Sequence, residues 1–208
     1  MNTNPLRETR PRPASNGVRT IVQNEDPVLR QVARAIPVAQ IQSPSIKTLV
    51  SDMKALLSKE EYGVAIAAPQ VGESLRLFVI SGKAIIKKKR SGAKRGESSE
   101  ISEEALAGLP AEDEVYINPE LVKMSRGKSN KHEGCLSLRG KWGTVPRAEK
   151  ASVRAYNEQG VQFTRGASGF LAHIFQHELD HLDGILYIDK ATEVYDEEKS
   201  TESDRQKE

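Results

Sequence analysis

Two histidines in the last fifth of the sequence have the spacing of metal ligands on one helix. His177 and His181 belong to the stretch Gln-His-Glu-Leu-Asp-His at residues 176–181. On an α-helix, a spacing of four residues turns by about 40° and rises about 6 Å, so both imidazoles project from the same face. Glu178 lies about 100° round from His177, where a carboxylate can act as a general base without binding the ion. The stretch therefore predicts a metal-binding helix with its own acid/base.

Two histidines leave a divalent ion short of ligands. Cys135 is the only cysteine, so no intrachain disulfide can form and the thiol is the natural third ligand. A Cys/His/His set leaves one position of a tetrahedral ion open, which is typical of catalytic sites. His132, Glu193 and Glu197 are alternative third ligands. A soft thiolate favours Fe(II) or Zn(II) over Mg(II) or Ca(II), and the residues alone leave both of the favoured metals open.

Local patterns predict the elements that must position these residues. Apolar side chains recur at helical spacing behind Ser43 and Pro44, which predicts an amphipathic helix from about 44 to 59. Strands are expected at 75–80, 115–118 and 151–156, with Pro119 ending the second and 161–163 completing a hairpin with the third. Residues 166–169 should open the metal-binding helix and Gly184 should end it, after which 185–188 should form a final strand.

Length and composition predict one domain with polar extensions. The 208 residues can bury a substantial core, and 37% hydrophobic with 29% charged residues suggests that polar ends dilute it. We expect a disordered arm at 1–18, a catalytic domain at 19–190 with a charged insertion at about 81–114, and an acidic tail at 191–208. The tail holds seven acidic and three basic residues.

Possible partners and location follow from charge and hydropathy. The basic run at 87–90 could contact the ribosome through phosphate groups, or it could be a mobile charged loop. No DNA partner is expected. No run of about 18 apolar residues and no secretory signal occurs, which favours a cytoplasmic protein without a membrane span.

Three segments together resemble the signature motifs of peptide deformylase, in the same order. They are residues 63–72 (Gly-Val-Ala-Ile-Ala-Ala-Pro-Gln-Val-Gly), 133–137 (Glu-Gly-Cys-Leu-Ser) and 176–181. The resemblance covers roughly residues 19–190. It implies an α+β fold in which antiparallel or mixed β-sheets surround the central metal-binding helix. The reaction that it implies is hydrolysis of the formyl group from N-formylmethionine at the start of a nascent peptide, which releases formate.

The resemblance also implies a role for individual residues. The metal is usually Fe(II) in this family and can be replaced by Zn(II) or another divalent ion; its implied ligands are Cys135, His177 and His181. Glu178 would take a proton from water and deliver it to the leaving amine. The side-chain amide of Gln70 and the backbone N–H of Leu136 would donate to the developing oxyanion. The implied substrate-binding positions are Val64, Ala65, Gly72, Leu138, His173 and Ile174.

Three departures from the family pattern concern the substrate. Ala65 stands where the family usually has Gly, so an added methyl is expected to project toward the substrate backbone and weaken or alter peptide binding. Arg139 follows Leu138 where a Pro is usual. His173 replaces an Arg or an aliphatic residue, which would make the pocket for the methionine side chain more polar. Asp180 and Asp183 are candidate hydrogen-bond partners of the histidines, and an exposed helix face explains them equally well.

Two other functions follow from these features. A deacylase acting on a different N-acyl peptide would keep the same metal site and use the altered positions. A ribosome-associated binding protein with a vestigial site would use the basic run. Intact Glu178 and Gln70 argue against the second, because a purely structural metal needs neither residue.

Overall fold

The computed structural model describes residues 19–85 and 112–196. Its main elements are two antiparallel sheets and two long α-helices. The α+β fold expected from the sequence is confirmed. The five-stranded sheet has the order β1-β2-β3-β6-β7, with bounds Ala65–Ala67, Leu77–Ile80, Glu114–Met124, Lys150–Tyr156 and Gln162–Ser168. The three-stranded sheet has the order β4-β5-β8, with bounds Lys128–Cys135, Leu138–Ala148 and Glu193–Asp196. Helix α1 spans Pro44–Lys59 and helix α2 spans Phe170–Leu182.

The five-stranded sheet lies between the two helices. Strand β2 shows this most clearly, because its side chains alternate between two core clusters. Phe78 and Ile80 belong to the cluster that contains the apolar residues of α2, whereas Leu77 and Val79 belong to the cluster that contains those of α1. Each fully buried apolar side chain of this kind contributes about 1.5–3 kcal/mol. The apolar face of α2 is thereby fixed on the sheet.

Both predicted helices are present. Helix α1 has the predicted bounds, and its buried residues follow the helical spacing seen in the sequence. Helix α2 begins after Gly169 and ends at Leu182. Gly184 follows in the left-handed conformation, with φ 73°, and a Cβ there would lie 2.8 Å from the carbonyl carbon of Arg30. Only glycine fits this close approach.

Two strand predictions were wrong. Pro119 does not end β3, which continues to Met124, because the register with β6 shifts between Ile117 and Glu120. Asn118 has a φ of 49° at this bulge, and a proline at a bulge removes no regular ladder hydrogen bond. Residues 185–188 do not form a strand either; the chain makes a 3-10 helix at Tyr187–Asp189.

The last strand instead lies in the segment that was expected to be an acidic tail. Strand β8 pairs with β5, with Tyr195 opposite Trp142. Backbone pairing along the edge of β5 holds this segment despite its two carboxylates.

Several predictions concern residues outside the described ranges: the arm at 1–18, the basic run at 87–90, Glu197 and the rest of the tail. Within the described ranges, no helix is both long and apolar enough to cross a membrane.

Candidate metal centre

The β4–β5 hairpin and helix α2 bring the three predicted metal ligands together. Cys135 ends β4 and pairs with Leu138 across a two-residue turn. One turn of α2 presents His177 and His181 to that thiol, and the ligand atoms of the three residues all lie within 4.8 Å of one another. The Sγ of Cys135 is 3.2 Å from Nε2 of His181. This cluster of one sulfur and two nitrogens can hold a metal ion.

Glu133 orients one of the two histidines. It lies two residues before Cys135 on β4 and therefore on the same face of the strand. Its Oε2 is 2.7 Å from Nδ1 of His177, which leaves Nε2 of that ring as the nitrogen that faces the thiol. The other carboxylate oxygen is 2.6 Å from Nε2 of His173. One carboxylate thus fixes two imidazoles on successive turns of α2.

Arg147 on β5 neutralises this carboxylate. Its Nε and Nη2 donate to Glu133 over 2.6 and 3.0 Å, and the two side chains are only 4% and 2% exposed. Burial alone would raise the pKa of Glu133, but the hydrogen bonds from Arg147, His173 and His177 outweigh burial and hold that pKa well below its usual range. Glu133 is therefore an ionised acceptor.

The third nitrogen of the Arg147 guanidinium, Nη1, connects the hairpin to α2. Nη1 donates to Oδ2 of Asp180 over 2.6 Å, and Lys190 donates to the other oxygen of Asp180. We call Glu133, Arg147, Asp180 and Lys190 the inner network. Asp183 pairs with Arg76 over 2.8 Å at the surface. Neither of the two candidates bonds a histidine: Asp183 lies on the exposed face that was the alternative, Asp180 belongs to the inner network, and Glu133 is the partner of His177.

The two imidazoles of the cluster differ in their proton affinity. Burial lowers the pKa of His177, but its hydrogen bonds to Cys135 and Glu133 raise it well above the usual value. Burial and the positive charge of His177 lower the pKa of His181 well below the usual value. The two imidazoles therefore differ in how readily they take the neutral form that a metal ligand requires, His181 more readily than His177.

Glu178 lines the cleft beside the cluster with little solvent around it. The residue is 3% exposed, and its Oε2 is buried without a hydrogen-bond partner among the described residues. Burial raises its pKa to about 7; the charge of His177 lowers it and that of Glu133 raises it. A buried, unpaired carboxylate oxygen needs a positive ion or a proton donor as its partner. A metal ion with its bound solvent in the Cys/His/His cluster meets this need, so the residues present fit the predicted ion.

Gln70 is held in one orientation next to the thiol. It lies on the 3-10 helix Ala68–Val71 that follows β1, and its Oε1 accepts from the backbone N–H of Ala67 over 2.8 Å. The amide nitrogen is consequently turned toward the cluster, 3.4 Å from Sγ of Cys135 and 3.4 Å from Oγ of Ser137. This arrangement aims N–H donors at the space in front of the metal site.

A cleft of about 930 Å³ opens above the cluster, between residues 59–65 on one side and the β4–β5 hairpin on the other. Ala65 lines the cleft and also belongs to the core cluster that contains the apolar residues of α2. The expected effect of its methyl on peptide binding stays a prediction. Gly72 caps the 3-10 helix with a φ of 84° and does not line the cleft. The other predicted substrate and oxyanion positions line it: Val64, Leu136, Leu138, His173 and Ile174.

The two alternative third ligands within the described ranges lie elsewhere. Nδ1 of His132 is 2.5 Å from the hydroxyl of Tyr195 at the rim of the cleft. Glu193 is exposed on β8, opposite Thr144. Among the described residues, the group that can hold a metal consists of Cys135, His177 and His181.

Sequence reasoning missed the residues that support the ligands. Glu133 stood in a recognised motif, and its place two residues before Cys135 on a strand could have identified it. The signal for Arg147 was weaker: it is a charged residue in an apolar stretch, between Val145 and Ala148, which are both buried. Nothing in the sequence pointed to Tyr187, whose ring stacks at 6.2 Å on that of His177.

Fold and site together define an α+β hydrolase with a Cys/His/His metal site, and comparisons with known proteins identify its family. A sequence profile of the polypeptide deformylase family matches residues 18–197. A peptide deformylase of Desulforudis audaxviator is 37% identical over 84% of this chain and 94% of its own length. Peptide deformylase 2 of Clostridium acetobutylicum is 37% identical over 85% of this chain and 97% of its own. The chain belongs to the peptide deformylase family.

Solved structures agree with this assignment. A peptide deformylase from Legionella pneumophila superimposes with a TM-score of 0.66 at 34% sequence identity. The match covers 85% of this chain and 87% of that one. A class I type b peptide deformylase from Acinetobacter baumannii, solved with Met-Ala-Ser bound, has a TM-score of 0.66 at 28% identity. This second match covers 85% of this chain and 99% of the Acinetobacter baumannii chain. The resemblance of the three sequence motifs to those of peptide deformylase is confirmed, and the protein is an enzyme of this hydrolase family.

Proposed function

We propose that this enzyme hydrolyses the N-formyl group from the formylmethionine that begins nascent peptides, releasing formate. One observation carries the proposal: a buried carboxylate, that of Glu178, and an oriented amide donor, that of Gln70, both adjoin the Cys/His/His cluster at the bottom of an open cleft. A structural metal would need neither group. Because the substrate is a nascent peptide, we place the enzyme in the cytoplasm. The proposed contact with the ribosome rests only on the charge of residues 87–90.

The proposed ligands are Cys135, His177 and His181, and the proposed ion is Fe(II), with Zn(II) or another divalent ion as substitute. A thiolate with two imidazoles suits either of these metals. When bound, such an ion acts as a Lewis acid that lowers the pKa of water and polarises a carbonyl oxygen. Glu133 supports this role, because it holds His177 with Nε2 facing the thiol.

The protein groups have complementary parts in the reaction. Glu178 accepts a proton from the attacking water through its unpaired oxygen. The Nε2 amide of Gln70 and the backbone N–H of Leu136 donate to the formyl oxygen as negative charge develops there, each worth about 3–4 kcal/mol in the transition state. Glu178 then delivers its proton to the amine nitrogen as the C–N bond breaks. Formate and the free amino terminus are the products.

The cleft floor is proposed to hold the methionine side chain. His173 and Ile174 line it one turn before His177, together with Val64, Ala65 and Leu138. His173 is tied to Glu133 through Nε2, so the pocket has a polar edge whose ring is fixed. The related enzyme of Acinetobacter baumannii binds Met-Ala-Ser, which supports a methionyl peptide as the ligand of this cleft. Gly72 does not line the cleft, so the proposed methionine pocket does not include it.

The test is formate release from formyl-Met-Ala-Ser by anaerobically prepared, Fe(II)-loaded protein. Glu178→Gln should abolish release while the protein still binds metal, since the base is lost and the ligands stay. Glu193→Gln is a matched control on an exposed strand and should retain full activity. Absence of release by the loaded wild-type protein would refute the proposal. Faster hydrolysis of acetyl-Met-Ala-Ser would refute it too and favour a deacylase of different specificity.

A further inference from the structure

An ion pair crosses the mouth of the cleft. Nη2 of Arg139 donates to Oε1 of Glu60 over 2.8 Å. Glu60 follows the last residue of α1 and belongs to one wall, whereas Arg139 is the second residue of β5 and belongs to the other. We call these two residues the mouth pair. Its members come from different elements and both line the cleft, so the pair links its two walls.

The position of the mouth pair relative to the metal centre follows from the hairpin register. Cys135 pairs with Leu138, and Arg139 is the next residue along β5, one step farther from the cluster. On the opposite wall, Val64 and Ala65 line the cleft where it meets the core cluster around α2, whereas the side chain of Glu60 is 23% exposed. The mouth pair therefore lies just outside the proposed site of the formylated methionine.

The mouth pair is poorly suited to stabilising the fold. The side chain of Arg139 is 57% exposed and that of Glu60 is 23% exposed, and they share one hydrogen bond. Exposed ion pairs of this kind contribute little to stability, and either partner can exchange for another charge at little cost. The guanidinium, as the more exposed partner, is the more accessible to an incoming group.

The proposed substrate must pass this pair. A nascent chain is attached to a long polypeptide, so the residues after the methionine have to leave the cleft through its open mouth. Among the described residues that line the cleft outside the metal centre, the charges are unequal: Lys59, Lys83, Arg139 and Lys141 accompany Glu60 and Glu61, and Lys141 is paired with Asp196 over 3.0 Å. An excess of positive charge attracts carboxylates and repels ammonium groups.

We propose that Arg139 makes the enzyme prefer formylmethionyl peptides with an acidic residue at the second or third position. The incoming carboxylate replaces Glu60 as the partner of Arg139, and Glu60 acts as its internal competitor. This inference rests on the proposed deformylase function and adds a substrate class to it. A charge contact remote from the reacting bond should change KM and leave kcat nearly unchanged.

Two substitutions should shift the preference in opposite directions. The substrates are formyl-Met-Ala-Ser-amide and its versions with Asp or Lys at the second or the third position; the amide removes the terminal carboxylate. We expect wild-type kcat/KM for the better Asp peptide to exceed that for the matching Lys peptide by about two- to five-fold, the range that exposed charge pairs give. Arg139→Gln should abolish this ratio. Glu60→Gln should increase it, because Arg139 loses its competitor.

Arg154→Gln is the matched control. Arg154 forms a similarly exposed pair with Glu120 over 2.7 Å on the five-stranded sheet, outside the cleft, so its loss should leave the ratio unchanged. An Asp/Lys ratio near one in the wild type, or one that Arg139→Gln leaves intact, would overturn the proposal. A Lys preference abolished by Glu60→Gln would also overturn it and assign the selectivity to Glu60. The neutral peptide separates the two levels: if it is not hydrolysed at all, the proposed function fails, and if it is hydrolysed without a charge preference, only this inference fails.

Discussion

Strand β5 carries two arginines whose surroundings differ completely. Arg147, near its end, is 4% exposed and makes three hydrogen bonds to Glu133 and Asp180. Arg139, near its beginning, is 57% exposed and makes one hydrogen bond to Glu60. The first lies behind the metal cluster and the second at the mouth of the cleft. The same side chain on the same strand thus serves two different purposes.

The difference shows how the site separates what must be rigid from what can vary. In the inner network, removing one charge leaves its partner buried and unpaired, which is expensive. In the mouth pair, water replaces a lost partner at almost no cost. We therefore expect substitutions in the inner network to affect folding and metal binding, and substitutions in the mouth pair to affect only the choice of peptide.

The largest effect should come from Arg147→Met. It leaves Glu133 and Asp180 without their main counter-charge in a buried place, so the free energy of unfolding should fall by about 3–5 kcal/mol. Urea denaturation of the metal-free protein measures this loss. Arg139→Met is the matched substitution on the same strand and should cost less than about 1 kcal/mol. Equal losses in the two variants would erase the distinction between the two regions.

Glu133→Gln should weaken metal binding by about 10- to 100-fold, the usual effect of losing the partner that orients a ligating histidine. Competition with a chelator for Zn(II) measures the affinity without relying on activity. Glu120→Gln, which removes an exposed carboxylate on β3, is the control and should leave the affinity unchanged. An unaltered affinity in Glu133→Gln would show that His177 needs no such support.

His173→Leu tests where the inner network ends, because His173 bonds Glu133 and also lines the cleft. Losing one of several donors to a buried carboxylate should cost about 1–2 kcal/mol of unfolding free energy. The apolar pocket should also bind methionyl peptides more tightly and lower KM. A changed KM with unchanged stability would place His173 with the substrate pocket alone.

The smallest effect concerns how the free energy of unfolding depends on pH in the acidic range. Since the pKa of Glu133 is lower in the folded protein than in the unfolded chain, its contribution to stability is present above the unfolded value of about 4.3 and is lost as pH falls below it. The stability difference between wild type and Glu133→Gln, both metal-free, should therefore shrink from pH 6 toward pH 3. The stability difference between wild type and Arg139→Gln should show no comparable change over the same pH range. A constant difference would mean that the carboxylate is not ionised in the fold.

The sequence predicted those parts of the protein that depend on local spacing. Helix α1 and the two histidines of α2 follow from the period of an α-helix, and Cys135 follows from being the only thiol. The support of the site did not follow, because it depends on how separate strands face each other. Glu133 and Arg147 become partners only once the hairpin register is known, and Asp180 joins them only once α2 packs behind the hairpin.

Strand β8 and the bulge in β3 escaped prediction for a related reason. Glu193 and Asp196 give β8 no apolar pattern, and only the free edge of β5 selects a strand there. Pro119 normally ends a strand, but Asn118 adopts the positive φ that lets the chain bulge and continue. In both places, a neighbouring strand overrides the local preference.

The order in which the metal centre is built has a consequence for the enzyme's own biosynthesis. Gln70 is made first, and the β4–β5 hairpin follows with Cys135, Glu133 and Arg147. The thiol of the hairpin lacks both imidazoles of the cluster until the ribosome has added α2 with His177 and His181. A freshly made enzyme thus cannot take up its ion through the complete ligand set before this late helix has emerged. An enzyme that acts on young polypeptides is itself inactive for most of its own translation.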